Sequence, residues 1–276
     1  MVVKVALVQQ PATADKEQNV RAALAALAKA ARDGAEVVVF AELAFERFHP
    51  QRPAGREPWR MAEPVPGPTT DRFVAAAREL GVVVVLNLFE REGEQAFDSS
   101  PVIDADGTLL GRTRMIHITD YPCFHEKGYY APGDTGAPVY RTRAGAIGVA
   151  ICYDRHYPEY MRALALGGAD LVVIPQAGAL DEWPEGLYEA EVRVAAFQHG
   201  YFVALCNRVG AEECLTFGGE SFICAPDGRV VARAGRLTSE VLCADLDLAE
   251  ARDSHARRLF LRDRRPELYP GWLGPR

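Results

Sequence analysis

Six apolar runs, most of them rich in β-branched residues, recur along the chain: Val2–Val8, Val37–Leu43, Val82–Leu88, Ile147–Cys152, Leu171–Ile174 and Tyr201–Cys206. Runs without polar alternation suit strands covered on both faces, so each needs a layer on either side. Helical periodicity fills the gaps between them. Glu17 to Arg32 carries Val20, Leu24, Leu27 and Ala31 on one stripe and stops at Asp33-Gly34. Thr70 to Leu80, with Thr70 as N-cap, is a second helix. Pro158 to Leu166 and Pro184 to Gln198 are a third and fourth, each with proline near its first turn. Asp106-Gly107 and Asp227-Gly228 lie between apolar segments as hairpin turns. Crossovers and hairpins together indicate an α/β class.

No repeat, low-complexity tract or linker divides the 276 residues, so residues 1–276 are expected to form one domain. The tail at 268–276 (LYPGWLGPR) is too short to fold alone and is expected to pack on its own domain or on a partner subunit. A net charge of −7 gives no electrostatic case for nucleic acid or an anionic membrane as partner. No run approaches the ~18 apolar residues of a membrane span. The opening MVVKVALVQQP reads as a first strand rather than a signal peptide, and a soluble cytoplasmic protein is expected. The six cysteines form no CxxC pair and several lie inside apolar runs, which argues against zinc and disulfide frameworks. His125-Glu126-Lys127-Gly128-Tyr129 lacks the second histidine of a zinc-binding HExxH, and no GxGxxG or phosphate loop follows a strand. No metal or cofactor is expected.

Two chemically capable residues stand where α/β sheets place ligands, at the C-terminal ends of apolar strands. Glu42 closes VVVFAEL and Cys152 closes AIGVAIC. Pro158 begins a helix soon after Cys152, and a thiol near a helix N-terminus and a cation such as Arg155 is favoured as thiolate. The competing reading is a core cysteine followed by an ordinary loop. A thiol attacking a carbonyl needs a base. His117, His125 and His156 are available, and so is Glu42, whose affinity for protons would rise in an apolar pocket.

Several segments, taken in order, carry a resemblance. They are VALVQQP, FAELAF around Glu42, AFDSSPVIDADGTLLGRTRMIHI, FHEKGYYAPGD around Glu126 and GVAICYDRHYPE around Cys152. LVVIPQAG, VRVAAFQHGYFVALCNRVG and GGESFICAPDGRVV follow. Over about nine-tenths of its length the chain resembles the nitrilase, or carbon–nitrogen hydrolase, superfamily. That resemblance implies an α-β-β-α sandwich whose subunits pair through helical faces into an αββα-αββα dimer, often within larger oligomers. It implies a Glu-Lys-Cys catalytic set acting on an amide, carbamoyl or nitrile carbon through a covalent intermediate. By it Cys152 is the nucleophile, Glu42 the general base and acid, and Glu126 a second glutamate near the pocket. The backbone N–H of Tyr153 is a natural oxyanion donor.

The lysine departs from the pattern. In Gly111-Arg112-Thr113-Arg114-Met115-Ile116-His117 the position of the catalytic lysine is Met115. Arg114 is adjacent, but neighbours in a strand face opposite ways, so it reaches the site only through a bulge or twist. Lys127 matches a non-catalytic lysine of the family. Losing one oxyanion donor slows turnover by ~10² to 10³-fold. A hydrolase with a modified site is therefore expected. The alternative is a catalytically impaired relative that binds a small amide or carboxylate ligand or a partner. Arg155 resembles an arginine that N-carbamoyl amino acid hydrolases use on the substrate carboxylate, and His117 and His125 match histidines of those branches. Arg155 could equally pair with Asp154 or Glu159. The expected substrate is a small amide or N-carbamoyl acid. His199 reads as a histidine satisfied at a helix C-terminus.

Overall fold

The computed structural model describes residues 1–273. Strands β1 (Val2–Gln9), β2 (Val37–Phe40), β3 (Val83–Val85), β4 (Leu88–Glu92), β5 (Gln95–Ile103) and β6 (Leu109–Arg114) come from the first half of the chain. Strands β7 (Val139–Thr142), β8 (Gly145–Val149), β9 (Leu171–Gln176) and β10 (Phe202–Asn207) follow. After them come the small hairpin β11 (Val209–Ala211) and β12 (Thr216–Gly218), then β13 (Phe222–Cys224), β14 (Val230–Arg233) and β15 (Glu240–Asp247). One sheet runs β15-β1-β2-β3-β5-β4, with β6 also on β5; the other runs β14-β13-β10-β9-β8-β7. β1, β2 and β3 are mutually parallel, as are β8, β9 and β10, while hairpins and the returning β15 are antiparallel.

Each parallel strand is apolar on both faces because each face has its own layer to fill. Val5, Leu7, Val37 and Val39 point between the sheets, where they meet Val149, Val173 and Ala204. Their neighbours Ala6, Val8, Val38 and Phe40 point outward onto helices α1 (Lys16–Arg32) and α2 (Pro68–Leu80). On the second sheet Val172, Ile174, Val203 and Leu205 point outward onto α3 (Pro158–Leu166) and α4 (Leu187–His199). The layering is the α-β-β-α sandwich expected from the resemblance.

Several boundaries differ from the sequence reading for local reasons. The buried side of α1 is Val20, Ala23, Leu27 and Ala30, so the stripe is turned from Leu24 and Ala31 towards smaller residues that let the helix approach the sheet. α2 begins at Pro68 with Gly67 as N-cap, and Thr70 lies buried inside it. α4 begins at Leu187, because Pro184 closes a turn that accepts from the Leu187 N–H. The run Val82–Leu88 is assigned as β3 and β4 with a break at Leu86-Asn87, although both strands keep one register on β5 and the Leu86 N–H still donates to the Pro101 carbonyl. Both Asp-Gly hairpins form, with Gly107 and Gly228 at φ +84° and +83°. Cys123 and Cys214 are joined as a disulfide, a single pair that the reading against a disulfide framework did not anticipate, while the other four cysteines are free. Of the tail, Pro270–Leu273 is a short exposed helical turn, and residues 274–276 lie outside the described residues. No helix among the described residues is long and apolar enough to cross a membrane.

Candidate active site

Two strand ends from opposite sheets build the site. β2 stops at Phe40, and two residues on the chain delivers Glu42; β8 stops at Val149 and delivers Cys152 at the head of a short turn, Cys152–His156. Both places are conformationally strained. Leu43, next to the glutamate, has φ +44°, and Cys152 itself has φ +41°. A non-glycine residue in the left-handed region costs on the order of 1–2 kcal/mol and persists only where surrounding bonds over-determine it.

Those bonds are present at both points, and each set centres on an arginine. Arg208 Nη1 donates to the backbone carbonyls of Glu42 (3.0 Å) and Leu43 (2.8 Å), and its Nη2 donates to that of Glu46 and to the Glu212 carboxylate. The Leu43 N–H is taken by Asn87 Oδ1 at 2.7 Å. Arg155 Nη1 donates to the Cys152 carbonyl (2.9 Å) and to Gln176 Oε1 (2.8 Å), while its Nε pairs with Glu191 on α4 at 3.1 Å. Gln176, at the end of β9, turns its amide Nε2 to within 3.3 Å of the Cys152 sulfur.

Around the sulfur lie carboxyl groups. Glu42, Asp98 from β5, and Glu126 from the turn Glu126–Gly128 are each fully buried. The Cys152 thiol and the Asp98 carboxyl both lie within hydrogen-bonding reach of Glu42, yet neither Glu42 oxygen has a well-aligned donor. Asp98 Oδ1 accepts from Asn87, while its Oδ2, Glu126 Oε1 and the buried Tyr130 hydroxyl are left without partners. Among the described residues no basic nitrogen lies within ion-pair distance of these three carboxyls. Arg208, which acts on Glu42, and Arg155, which acts on Cys152, are paired with Glu212 and Glu191. Burial, reinforced by the Glu126 charge, pushes Glu42 up to about 8. Burial first and a neighbouring carboxylate second push Asp98, Glu126 and the Cys152 thiol up in the same way.

Met115 is fully buried and shares its apolar cluster with Cys152, Phe89, Phe124 and Tyr130. Its N–H donates to the Asp98 carbonyl, which ties the backbone at position 115 to β5 beside Asp98. The other expected donors are placed elsewhere. Arg114 follows the pleat away from the site, pairs with Glu90 and Asp134, and lies 3.8 Å over the Phe97 ring, so it is not an oxyanion group. His117 donates through Nδ1 to the Asp154 carboxylate (2.7 Å) and stacks on Tyr157 at 3.5 Å, which holds the turn after Cys152 rather than the thiol. His125 faces Asp120 at the surface, and His156 faces Glu191. Tyr153 packs its ring on His156 and Tyr157, leaving its backbone N–H as the group closest in sequence to the nucleophile. Arg155 pairs with neither Asp154 nor Glu159; its engagement with Glu191, Gln176 and the Cys152 carbonyl makes it a positioning residue. His199 ends α4 as expected, its Nδ1 bonded to the Ala195 carbonyl at 2.7 Å.

The profile of the carbon–nitrogen hydrolase family matches residues 4–256. The chain belongs to the carbon–nitrogen hydrolase family. As a member of the nitrilase superfamily, it shares with N-carbamoylputrescine amidase of Solanum lycopersicum 38% identity across 97% of this chain and 93% of that one. Among solved structures, a carbon–nitrogen hydrolase from Helicobacter pylori superposes with TM-score 0.89 at 28% identity, covering 99% of both chains. An amidase from Nesterenkonia, in a glutamate-to-glutamine variant carrying the acetamide moiety of fluoroacetamide on its active-site cysteine, superposes at TM-score 0.82. It is 27% identical over 98% of this chain and 97% of that one. This carbon–nitrogen hydrolase therefore presents its buried thiol within a family whose enzymes act at carbon–nitrogen bonds.

The sequence reading passed over Asp98, Asn87, Gln176 and Arg208. Gln176 and Asn207 were within reach of the rule that found Glu42 and Cys152, since they close the apolar strands LVVIPQ and FVALCN.

Proposed function

We propose that the chain hydrolyses a non-peptide carbon–nitrogen bond in a small amide or N-carbamoyl compound through a covalent Cys152 intermediate. The observation that carries this reading is the left-handed Cys152, its thiol presented to the Glu42 carboxyl at the meeting of two strand ends. Glu42 accepts the thiol proton as sulfur adds to the trigonal carbon, then returns that proton to the departing nitrogen. Water follows the same path in reverse and releases the acyl group from sulfur. The Tyr153 N–H donates to the oxygen on which charge develops. Glu126 stands beside the thiol as a second buried carboxyl. Met115 supplies none of the charge a lysine would bring there. The commitment of Arg155 to Glu191 favours an amide or N-carbamoyl amine over an N-carbamoyl acid clamped by its carboxylate.

The test is ammonia release from a panel of amides and ureido compounds, with iodoacetamide labelling of Cys152 at neutral pH. Turnover abolished by Cys152→Ala supports the reading; no release together with an unlabelled Cys152 overturns it. A second reading, ligand binding without turnover, is favoured by Met115 alone. Activity absent from the parent and present in Met115→Lys would establish that reading. The family resemblance also supports a homodimer through the outer helices, where Leu187, Val194 and Phe197 of α4 remain exposed beside Phe260. A monomer by light scattering at micromolar concentration would remove it.

A further inference from the structure

The charge balance of the site points beyond amides. Glu42, Asp98 and Glu126 are fully buried around one thiol, and Glu182 stands near, engaged with the Tyr121 and Tyr188 hydroxyls and the Ala179 N–H. None of the four lysines serves the cluster: Lys16 pairs with Glu46 and Glu63, Lys4 and Lys29 lie against Asp33, and Lys127 is exposed. A sulfur adding to a neutral carbonyl places a new negative charge on oxygen, here among buried carboxyls that offer it no cation. A sulfur adding to an amidinium or guanidinium carbon does the opposite: it cancels a positive charge. Catalysis favours the substrate whose charge change the site stabilises.

We infer that this pocket takes amidinium or guanidinium groups, with Asp98 and Glu126 holding the cation's N–H edges, and hydrolyses them to the amide or ureido product. The inference rests on the Cys152–Glu42 reading above and adds the substrate class. Planar N–H edges match carboxylates in paired bonds, and the unpartnered Asp98 Oδ2, Glu126 Oε1 and Tyr130 hydroxyl are acceptors for such edges. Cys152 is 6% exposed, and Met115, fully buried in the same apolar cluster, brings no charge.

The steps balance. The thiol proton passes to Glu42, sulfur bonds to the guanidinium carbon, and the C=N π pair moves to nitrogen, giving a neutral tetrahedral adduct. Glu42 returns the proton to one amino group, the C–N bond breaks, and ammonia leaves behind an S-linked isothiouronium on Cys152. Water adds to that carbon, the C–S bond breaks, and the thiol re-forms; the remaining proton leaves as ammonium. The sum is guanidinium plus water to ureido product plus ammonium.

Two matched pairs test this: agmatine against N-carbamoylputrescine, and methylguanidine against methylurea, followed by ammonia release. The wild type is expected to favour the guanidinium member by ~10-fold or more in kcat/KM. Asp98→Asn should lower guanidinium turnover ~10-fold or more while lowering ureido turnover less, and Met115→Lys should reverse the preference. Preference of the wild type for the ureido members overturns the substrate class and leaves the Cys152–Glu42 reading standing. No turnover of either pair, with Cys152 resistant to iodoacetamide, overturns both. In Cys152→Ala, thermal stabilisation by methylguanidine no greater than by methylurea overturns the inference without reference to turnover. Guanidinium binding in that variant with no ammonia release by the wild type overturns the reaction.

Discussion

Replacing Glu42 by glutamine should stabilise the folded chain at alkaline pH while destroying its activity. The carboxyl stands at 4.5 in the unfolded chain and about 8 in the folded one, chiefly because burial disfavours its charge. Between those values the folded chain holds a proton that the unfolded chain has released, so stability falls as pH rises and levels off above about 8. At about 1.4 kcal/mol per pH unit, the interval from 4.5 to about 8 is worth on the order of 5 kcal/mol. Glutamine keeps the shape and cannot ionise. Whatever its amide costs in lost partners is the same at every pH and cancels when the two proteins are compared across the range. Asp98 and Glu126 ionise more readily once the Glu42 charge is gone, which keeps part of the slope in the variant. For a chain of this length 1 kcal/mol moves Tm by roughly 2 °C, so the variant should gain up to about 10 °C on the wild type between pH 5 and pH 9. Thermal scans of both proteins at half-unit pH steps read this directly. Parallel Tm curves across the range would refute a buried, uncompensated carboxyl at this position.

The same proton sets an activity limb: kcat/KM should rise with pH up to about 8, because sulfur can attack only after one proton has left the thiol–carboxyl pair; a plateau from pH 6 upward would contradict it. Arg155→Lys cannot bridge the Cys152 carbonyl, Gln176 and Glu191 at once, so kcat should fall on the order of 10-fold with KM little changed, measured by steady-state kinetics. Arg208→Met leaves Glu212 without its cation and takes a donor from three carbonyls, which should cost about 3–5 kcal/mol in urea unfolding and lower activity as well. Arg114→Met should cost less, because Arg112 and Ser99 still serve Glu90, while the folded fraction keeps its specific activity.

The parts legible in the sequence were those written locally. Apolar runs that ignore alternation announced covered strands, and a polar residue ending such a run marked Glu42 and Cys152 as site residues. Asp98 was illegible for the complementary reason. It sits mid-strand in AFDSSPVI, where an isolated acid ordinarily faces water, and its burial appears only once β5 lies beside the end of β2. Arg155 carried the right chemistry for a carboxylate clamp, but its acidic partner, Glu191, lies 36 residues away on α4 and is brought in by packing. The Cys123–Cys214 pair spans 91 residues and joins two loops, a separation from which spacing rules draw nothing.

The placement of the two arginines explains why the carboxyls of the site have no cation of their own. Each guanidinium lies behind the backbone it holds, Arg208 on the carbonyls of Glu42 and Leu43 and Arg155 on that of Cys152, and each is neutralised by its own glutamate. Their work is to hold two left-handed residues in place, and an ion pair already formed has little field left for the carboxyls in front of it. A lysine at position 115 would bring a cation into this cluster; methionine brings none. Buried carboxylates do not persist uncompensated. With the site empty the compensation is protons, which is what lifts Glu42 to about 8 and Asp98 and Glu126 upward. With the site filled, a cationic ligand can displace those protons. Agmatine binding to Cys152→Ala should therefore release protons, seen as a binding heat that changes with the ionisation enthalpy of the buffer at pH 7. A heat independent of buffer would mean that the carboxyls keep their protons and that the ligand's charge finds no partner there.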